Sequence, residues 1–147
     1  MTVRRWRTQD AQALNDAVAA SREHLLPWMP WAGEPPMTLA QRLRQLADWE
    51  REWRAGGDCV YGIFVGDQVA GGCGLHRRLG PAGLEIGYWL AMGFTGRGVI
   101  TVAAGLLTDA AFDVPGLELV EIHHDKANER SGAVPRRLGY TLVRELA

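Results

Sequence analysis

The residues best suited to chemistry are two glycines around an arginine, Gly96-Arg97-Gly98, which precede a long apolar stretch. That stretch predicts a helix over residues 98–112. The first amides of a helix have no intrahelical acceptor and carry a partial positive charge, and glycines let a diphosphate approach them without a Cβ in the way. The guanidinium of Arg97 either adds a charge-assisted hydrogen bond or points into solvent. The turn is therefore a candidate phosphate-binding site.

Other interpretations of this turn have to be weighed. Two glycines also suffice for a tight connection between a strand and a helix. The dinucleotide-binding fingerprint would need a third glycine at Thr101, although Glu118 stands near the spacing at which that motif has an acid. The segments before the turn are typical of antiparallel hairpins, which disfavours a βαβ unit. The phosphate-loop pattern of nucleotide hydrolases is absent.

Adjacent histidines, His123 and His124, followed by Asp125, suggest a metal site as a further hypothesis. Neighbouring side chains on a strand point to opposite faces, so these two histidines cannot readily bind one ion. Cys59 and Cys73 lie in apolar stretches without CxxC spacing and are expected to be buried, reduced thiols. We therefore predict no metal site.

The elements that position these residues begin with two amino-terminal helices and hairpins. A strand over residues 3–7 precedes a helix capped by Thr8 or Asp10, and Thr38 with Gln41 forms a capping box for a second helix that ends at Gly56-Gly57. The inner face of this second helix is predicted to carry Leu39, Leu43, Leu46 and Trp53.

The second half of the chain alternates strands and helices. The long helix after the glycine turn and a short helix over residues 131–138 are predicted between strands. This order indicates a mixed sheet with helices on both faces. The predicted strands cover residues 59–65, 69–76, 84–90, 119–125 and 140–146.

Composition limits the classes of partner. The chain has 147 residues, 47% of them hydrophobic and 22% charged, which suits one globular domain over residues 1–147. The formal charge of -1 gives no support for bulk attraction to nucleic acid or to an anionic membrane. No apolar run follows the arginines of residues 1–7, so neither a signal peptide nor a membrane span is predicted, and we expect a cytoplasmic protein.

Five segments of the second half of the chain form a recognisable set. They are Glu85-Ile-Gly-Tyr-Trp-Leu90, Gly96-Arg-Gly-Val-Ile-Thr101, Val120-Glu-Ile-His123, Asn128-Glu-Arg-Ser131 and Arg137-Leu-Gly-Tyr140. Together they resemble the GNAT N-acetyltransferases, and most of all the branch that acetylates N-terminal amines of ribosomal proteins (RimJ/RimL-type). The amino-terminal Arg4, Trp6 and Asp10 and the pair Trp28 and Trp31 also fit that branch. The resemblance covers nearly the whole chain.

The resemblance implies an α/β (α+β) GNAT fold: a mixed, mostly antiparallel sheet whose central strands, 84–90 and 119–125, splay apart. It also implies acetyl-CoA as co-substrate, with pantetheine in the wedge, Asn128 near the pantetheine arm and Ser131 near the thioester sulfur. The pantetheine would pair with backbone at Trp89, Leu90 and Ala91. The pyrophosphate would be wrapped by Phe94, Thr95, Gly96, Arg97, Gly98, Val99, Ile100 and Thr101.

The sequence departs from the family pattern at several positions. Alanine is usual where Ile100 stands, so this side chain either fills the core or crowds the phosphate turn, and Arg or Gln is common in place of Gly93. Other branches have a tyrosine acid where Pro135 stands, which has no hydroxyl and bends a helix. Family chains usually continue beyond the strand at 140–146, so the sheet edge is truncated, completed by a partner chain or left open.

The chemistry requires a neutral amine and a proton for the departing thiolate. Deprotonating an α-amine costs about 3 kcal/mol less than deprotonating lysine, which favours an N-terminal acceptor. On the family pattern Glu85 is the candidate base, acting through water, or else an exposed strand carboxylate. Ser131 is the candidate acid or hydrogen-bond donor to the sulfur, and it can also be a helix N-cap. Trp28 and Trp31 line the acceptor pocket or serve in the core or a dimer.

The function expected from the resemblance is therefore transfer of an acetyl group from acetyl-CoA to a primary amine, most simply a protein or peptide N-terminus. Two alternatives stay open. One is a small-molecule amine such as an amino acid, a polyamine or an antibiotic, and the other is a non-catalytic acyl-CoA-binding module. A homodimer is expected only by analogy with the family.

Overall fold

The computed structural model describes residues 1–124 and 128–143. Its centre is a five-stranded sheet with strand order β1-β2-β3-β4-β5. Neighbouring strands are antiparallel except for β4 and β5, which are parallel. The strands are β1 (Thr2–Arg5), β2 (Cys59–Val65), β3 (Gln68–His76), β4 (Gly83–Leu90) and β5 (Leu119–Ile122).

The helices lie on both faces of this sheet, as predicted. The first and third, α1 and α3, contact β3 and β2, whereas α4 packs on β4 and β3 and also contacts α5. Each face has its own cluster of buried side chains, one built around Leu14 and Leu46 and the other around Ile86 and Leu107. The helices are α1 (Ala11–Ala20), α2 (Arg22–Leu25), α3 (Leu39–Arg54), α4 (Val99–Phe112) and α5 (Glu129–Arg137), with 3-10 turns at Thr8–Asp10 and Pro30–Gly33.

The capping box of α3 is confirmed: the Gln41 amide donates to the Thr38 hydroxyl, and the Thr38 amide donates to the Gln41 side chain. The predicted inner face of α3 was partly wrong. Leu39, Leu43 and Trp53 are exposed, while Arg42 and Leu46 are buried. The helix packs against α1 and β2 through a stripe that includes an arginine, which an apolar pattern cannot identify.

The central strands separate, as the fold expectation requires. β4 and β5 pair from Gly83 opposite Leu119 to Ile86 opposite Ile122, and β4 then continues to Leu90 without β5 beside it. The backbone of the last four residues of β4 is therefore open on that side, at the point where α4 and α5 converge on the sheet.

The end of the chain differs from the prediction. Residues 140–143 are not in a strand, and the rest of the predicted strand lies outside the described residues, as do residues 125–127. Gly139 has a φ of 82°, which turns the chain after α5. The Tyr140 hydroxyl then lies 2.7 Å from the Thr108 hydroxyl of α4. Tyr140 therefore packs on the helix layer, and residues 140–143 do not join the sheet.

Within the described parts of the chain, no helix has the length and hydropathy needed to cross a lipid bilayer.

Candidate active site

The glycine turn leads from β4 into α4. Gly96 and Gly98 have φ angles of 77° and 70°, a backbone conformation that residues with a Cβ rarely adopt. The first amide of α4 with an intrahelical acceptor is that of Val102, which donates to the Gly98 carbonyl at 3.2 Å. Among the described residues, the amides of residues 95–101 donate no hydrogen bond. Their free N–H groups form a ready site for a phosphate.

The side chains of the turn are divided between the core and solvent. Val99 and Ile100 are buried in the cluster on the α4 face, so Ile100 fills the core. Arg97 is exposed and its guanidinium lies 5.4 Å from the centroid of the Phe94 ring. Thr101 is half-buried. Backbone amides, rather than side chains, are therefore the main donors that this turn offers.

The open end of β4 offers further backbone groups. The Ala91 amide donates to the Ala70 carbonyl at 2.7 Å, toward β3. Successive residues of a strand direct their amide and carbonyl groups to opposite sides, so those of Leu90 and Tyr88 are directed into the wedge beside β5. The Trp89 side chain lies over Gly72 of β3, where a Cβ would come within 2.3 Å of the indole nitrogen.

Asn128 and Ser131 meet at the start of α5. Asn128 is the N-cap, and its Oδ1 accepts the Ser131 amide at 3.2 Å. Ser131 is therefore not the N-cap that the sequence allowed. The Ser131 hydroxyl lies 3.4 Å from the Tyr88 hydroxyl, which itself donates to the Ser131 carbonyl at 2.9 Å. Burial raises the pKa of Tyr88, so its phenol keeps its proton.

Pro135 explains why the Ser131 carbonyl is available. Proline has no N–H, so it cannot donate to the carbonyl four residues earlier in the helix. The hydroxyl of Tyr88 occupies that acceptor instead. Tyr88 was not among the site residues predicted from the sequence, because nothing local indicates that β4 and α5 meet there.

A large cavity lies between the sheet and the α1–α3 side of the molecule, with a volume of about 940 Å³. It brings together most of the predicted acceptor-side residues with Asn128 and Ser131. Glu85 lies in its floor and the indoles of Trp28 and Trp31 in its wall, where Trp31 meets Trp89 edge to face with ring centroids 5.8 Å apart. The turn at residues 94–101 does not line this cavity. The cavity and the glycine turn are thus separate surfaces, both next to the open end of β4.

Glu85 is a buried carboxylate with two cationic or titratable neighbours. Its Oε2 accepts from Arg78 at 3.0 Å and its Oε1 lies 3.2 Å from His123 Nδ1. The other ring nitrogen of His123 lies 2.7 Å from a Glu121 carboxylate oxygen. Glu85 is therefore not the exposed strand carboxylate that the sequence left open, and His123 bridges two carboxylates at the cavity floor.

The two adjacent histidines have different neighbours. His123 contacts Glu85 and Glu121, whereas the ring of His124 lies against Gly132 of α5. Asp125 lies outside the described residues. Among residues 1–124 and 128–143, no group of three or more His, Cys, Asp or Glu side chains is arranged to hold a metal ion.

A second histidine at the cavity was missed by the sequence reasoning. His76 lies opposite Glu85 in the β3–β4 pair, and its Nδ1 is 2.9 Å from Asp58 Oδ2. Burial alone would raise the pKa of Asp58, but hydrogen bonds from the Arg77 amide and from His76 outweigh it and lower the pKa. The only sequence signal was the position of Asp58 at the entry of a hairpin whose second strand ends at His76.

The cysteines carry no chemistry here. Both are free; Cys73 is buried, and Cys59 is half-buried, which is less than the sequence predicted. Burial raises the pKa of Cys73 to about 12, which keeps it an unreactive thiol.

Comparisons with known proteins agree with this architecture. The sequence model of a family described as acetyltransferase (GNAT) domain matches residues 1–141. YdaF of Bacillus subtilis (strain 168), a candidate ribosomal N-acetyltransferase by its name, is 31% identical over 142 residues, which are 95% of this chain and 77% of YdaF.

Two structures with coenzyme A also match. RimL, a ribosomal L7/L12 alpha-N-protein acetyltransferase in complex with coenzyme A, matches with a TM-score of 0.87 and 22% identity over 97% of this chain and 80% of its own. Mycobacterium smegmatis RimJ in complex with CoA-disulfide matches with a TM-score of 0.84 and 26% identity over 93% of this chain and 68% of its own. From the family match over residues 1–141 and the relative at 31% identity, the chain belongs to the GNAT acetyltransferases.

Proposed function

We propose that this GNAT acetyltransferase acetylates the N-terminal amine of a protein or peptide. The observation that carries the proposal is the aromatic-walled cavity that extends from Trp28 and Trp31 to Ser131, with the buried carboxylate of Glu85 in its floor. A cavity of about 940 Å³ has room for several residues of an extended peptide. The names of YdaF, RimL and RimJ support the same class of acceptor.

Acetyl-CoA is the acetyl donor of this acetyltransferase, and it supplies the acetyl group as an activated thioester. We propose that the free amides of residues 95–101 hold its pyrophosphate and that the backbone of residues 89–91 pairs with its pantetheine arm. Two features of the described residues fit that role. The amides have no protein acceptor, and Gly98 leaves the backbone open because nothing lies within 4 Å of the position of a Cβ.

On the acceptor side, Glu85 is proposed to accept the proton of the incoming amine, directly or through a water molecule. Its two ion-pair partners, Arg78 and His123, orient the carboxylate toward the cavity floor. The other ring nitrogen of His123 lies 2.7 Å from a carboxylate oxygen of Glu121. The group therefore forms a connected path for a proton to leave the site.

At the wedge, Ser131 is proposed to donate a hydrogen bond to the departing sulfur, and a backbone amide of the open end of β4 to the acyl oxygen. Tyr88 is a positioning residue, since it fixes both the carbonyl and the hydroxyl of Ser131. A serine hydroxyl is a weak acid toward a thiolate whose conjugate acid has a pKa of about 8.5. We therefore expect Ser131 to accelerate the reaction without being essential.

The two alternative functions that the sequence left open are not equally supported. A non-catalytic module is disfavoured because the family is one of acetyltransferases. A small-molecule amine competes with a peptide for the same cavity, and the test below includes both. Cytoplasmic location, a homodimer and a single domain over residues 1–147 also stay predictions.

The test is release of free thiol from acetyl-CoA with peptides of varied N-terminal residue and, in parallel, with amino acids, polyamines and aminoglycosides. We expect turnover with peptides. Glu85→Gln should lower kcat/KM about 100-fold or more, and Ser131→Ala about tenfold or less. The matched control is Glu118→Gln, at an exposed carboxylate that does not line the cavity, which should lower kcat/KM less than about threefold.

Two outcomes would overturn the proposal. Turnover with small amines but with no peptide would replace the acceptor class. Failure of calorimetry to detect coenzyme A binding would remove the assignment of the turn at residues 95–101.

A further inference from the structure

Arg42 of α3 is a buried cation whose hydrogen-bond partners among the described residues are neutral. It is only 9% exposed. Its Nε donates to Asn15 Oδ1 at 2.6 Å, and its Nη1 donates to Gln45 Oε1 at 2.7 Å. Both acceptors are neutral, and within residues 1–124 and 128–143 no carboxylate forms an ion pair with Arg42.

This arrangement is energetically unusual. A buried guanidinium needs a counter-charge, because removing it from water costs more than hydrogen bonds to neutral groups return. Burial lowers the pKa of Arg42, and no carboxylate opposes that effect. Even so, an arginine stays protonated in proteins, so the charge persists. By contrast, Arg4 and Arg78 are paired with the buried carboxylates of Asp10 and Glu85.

The cation lies at the acceptor cavity. Arg42, Asn15 and Gln45 all line it, together with Glu85 on the opposite, sheet side. Two further acidic residues line the cavity, Asp16 and Glu34, and both are exposed. Arg42 is thus the buried positive charge of the helical wall, and Glu85 is the buried negative charge of the floor.

The guanidinium is held ready for a ligand. Asn15 is fixed by its own side-chain amide, which donates to the Met37 carbonyl at 3.1 Å, so its oxygen is directed to Arg42. The remaining terminal nitrogen, Nη2, donates no hydrogen bond within the described part of the chain. A group with planar donors and a fixed orientation is the type of site that binds carboxylates.

We propose that Arg42 binds a carboxylate of the acceptor, so that the preferred acceptors carry an acidic group close to the amine that is acetylated. This inference rests on the proposed function, because it assigns the substrate class of the same cavity. The carboxylate is either the side chain of an aspartate or glutamate near a peptide's N-terminus or the α-carboxylate of a free amino acid. Arg42 would bind the same group, a carboxylate, in either kind of acceptor.

The test compares acceptors that differ only in charge. Peptide amides with aspartate at position 2, 3 or 4 are each paired with the asparagine peptide, and free alanine is paired with alanine amide. We expect kcat/KM to favour the acid by at least about tenfold at one position. A preference within the peptides assigns a side-chain carboxylate, and a preference only for free alanine assigns the α-carboxylate.

Arg42→Gln should reduce that ratio to about one, and Arg42→Lys should keep part of it. The matched control is Arg44→Gln on the same helix, since Arg44 is exposed and does not line the cavity. The measured quantity is the ratio of the kcat/KM values of one variant for two acceptors. A smaller fraction of folded protein lowers both values equally and does not change their ratio. No acid preference in the wild type, or a preference that survives in Arg42→Gln, overturns the inference while leaving the proposed function intact.

A binding measurement separates the two hypotheses if no acceptor turns over. In that case the proposed function fails, and the subsite is tested with succinate alone. At matched ionic strength, succinate should raise the unfolding midpoint of the wild type and of Arg44→Gln but not of Arg42→Gln. An equal rise in all three proteins, or no rise in the wild type, overturns the carboxylate subsite.

Discussion

The hydroxyl of Tyr88 donates to the carbonyl oxygen of Ser131 at 2.9 Å and lies 3.4 Å from the Ser131 hydroxyl. This contact joins the open end of β4 to the first turn of α5. It exists because Pro135 leaves that carbonyl without its helical donor. Pro135 therefore leaves an acceptor at the Ser131 carbonyl, and the hydroxyl of Tyr88 from the sheet donates to it.

Tyr88→Phe should separate positioning from stability. Losing the hydrogen bond should cost about 1 kcal/mol in the free energy of unfolding and leave the Ser131 carbonyl without a donor. We expect kcat to fall about three- to tenfold while the KM for acetyl-CoA stays within a factor of two. Tyr140→Phe is the matched control, because it removes a partly buried hydroxyl contact with Thr108 on the same helical layer. A similar loss of kcat in both variants would make Tyr88 a purely structural residue.

Gly98→Asp should weaken the binding of coenzyme A at least about tenfold, as measured by calorimetry. The substitution places a carboxylate where a phosphate is expected and adds a Cβ at a φ of 70°. The strain at positive φ costs about 1–2 kcal/mol at any site. Gly116→Asp controls for it, since Gly116 has a φ of 79° and equally open surroundings in a different turn. Equal affinities in the two variants would remove the phosphate assignment.

Trp31→Ala should raise the KM for a peptide acceptor about tenfold and leave coenzyme A binding unchanged. The indole forms part of the cavity wall and packs edge to face on the Trp89 ring. Its loss removes acceptor contacts and this ring contact, but leaves the backbone of residues 89–91 and the free amides of residues 95–101 in place. Trp53→Ala is the control, because Trp53 is 37% exposed, close to the 40% of Trp31, and contacts Tyr61 away from the cavity. Weaker binding of coenzyme A in Trp31→Ala would contradict the proposal that the acceptor and coenzyme A bind at separate sites.

Asp10 should make the fold sensitive to acid. Burial alone would raise its pKa, but the Arg4 guanidinium and the Arg7 amide outweigh that effect and lower it. Asp10 therefore contributes stability that is complete above its ordinary pKa of about 3.9 and is lost as the pH falls through the lower folded-state value.

The measurement is urea unfolding between about pH 3 and pH 7. The free-energy difference between wild type and Asp10→Asn should be largest at pH 7 and shrink in acid. Asp109→Asn, at an exposed position of α4, should show no such pH-dependent difference. A difference for Asp10→Asn that does not change with pH would exclude this linkage.

The sequence predicted the local parts of the site well. The glycine turn, the hairpin of β2 and β3, the capping box at Thr38 and Gln41 and the family itself all follow from patterns within a few residues. Such patterns are reliable because positive φ angles, free helix amides and side-chain periodicity are properties of short segments.

The pairs that complete the site could not be predicted in this way. Asp58 with His76, Glu85 with His123 and Tyr88 with Ser131 are far apart in the chain, and each pair depends on strand register or on how α5 packs. The burial of Arg42 is a similar case, since an apolar pattern assigned the inner face of α3 to Leu39 and Leu43. Only the packing of α3 against α1 and β2 decides which stripe is inside.

The sequence by itself therefore determined most helices and strands, the position of the glycine turn with its free helix amides and the family that the chain resembles. The tertiary structure decided which polar groups are buried together at the cavity. They include an arginine that no carboxylate of the described residues pairs with, and a tyrosine whose hydroxyl donates to the carbonyl that Pro135 leaves without its helical donor. The physical reason is that local conformation is set by neighbouring residues, whereas desolvation and charge pairing depend on every element that packs around a group.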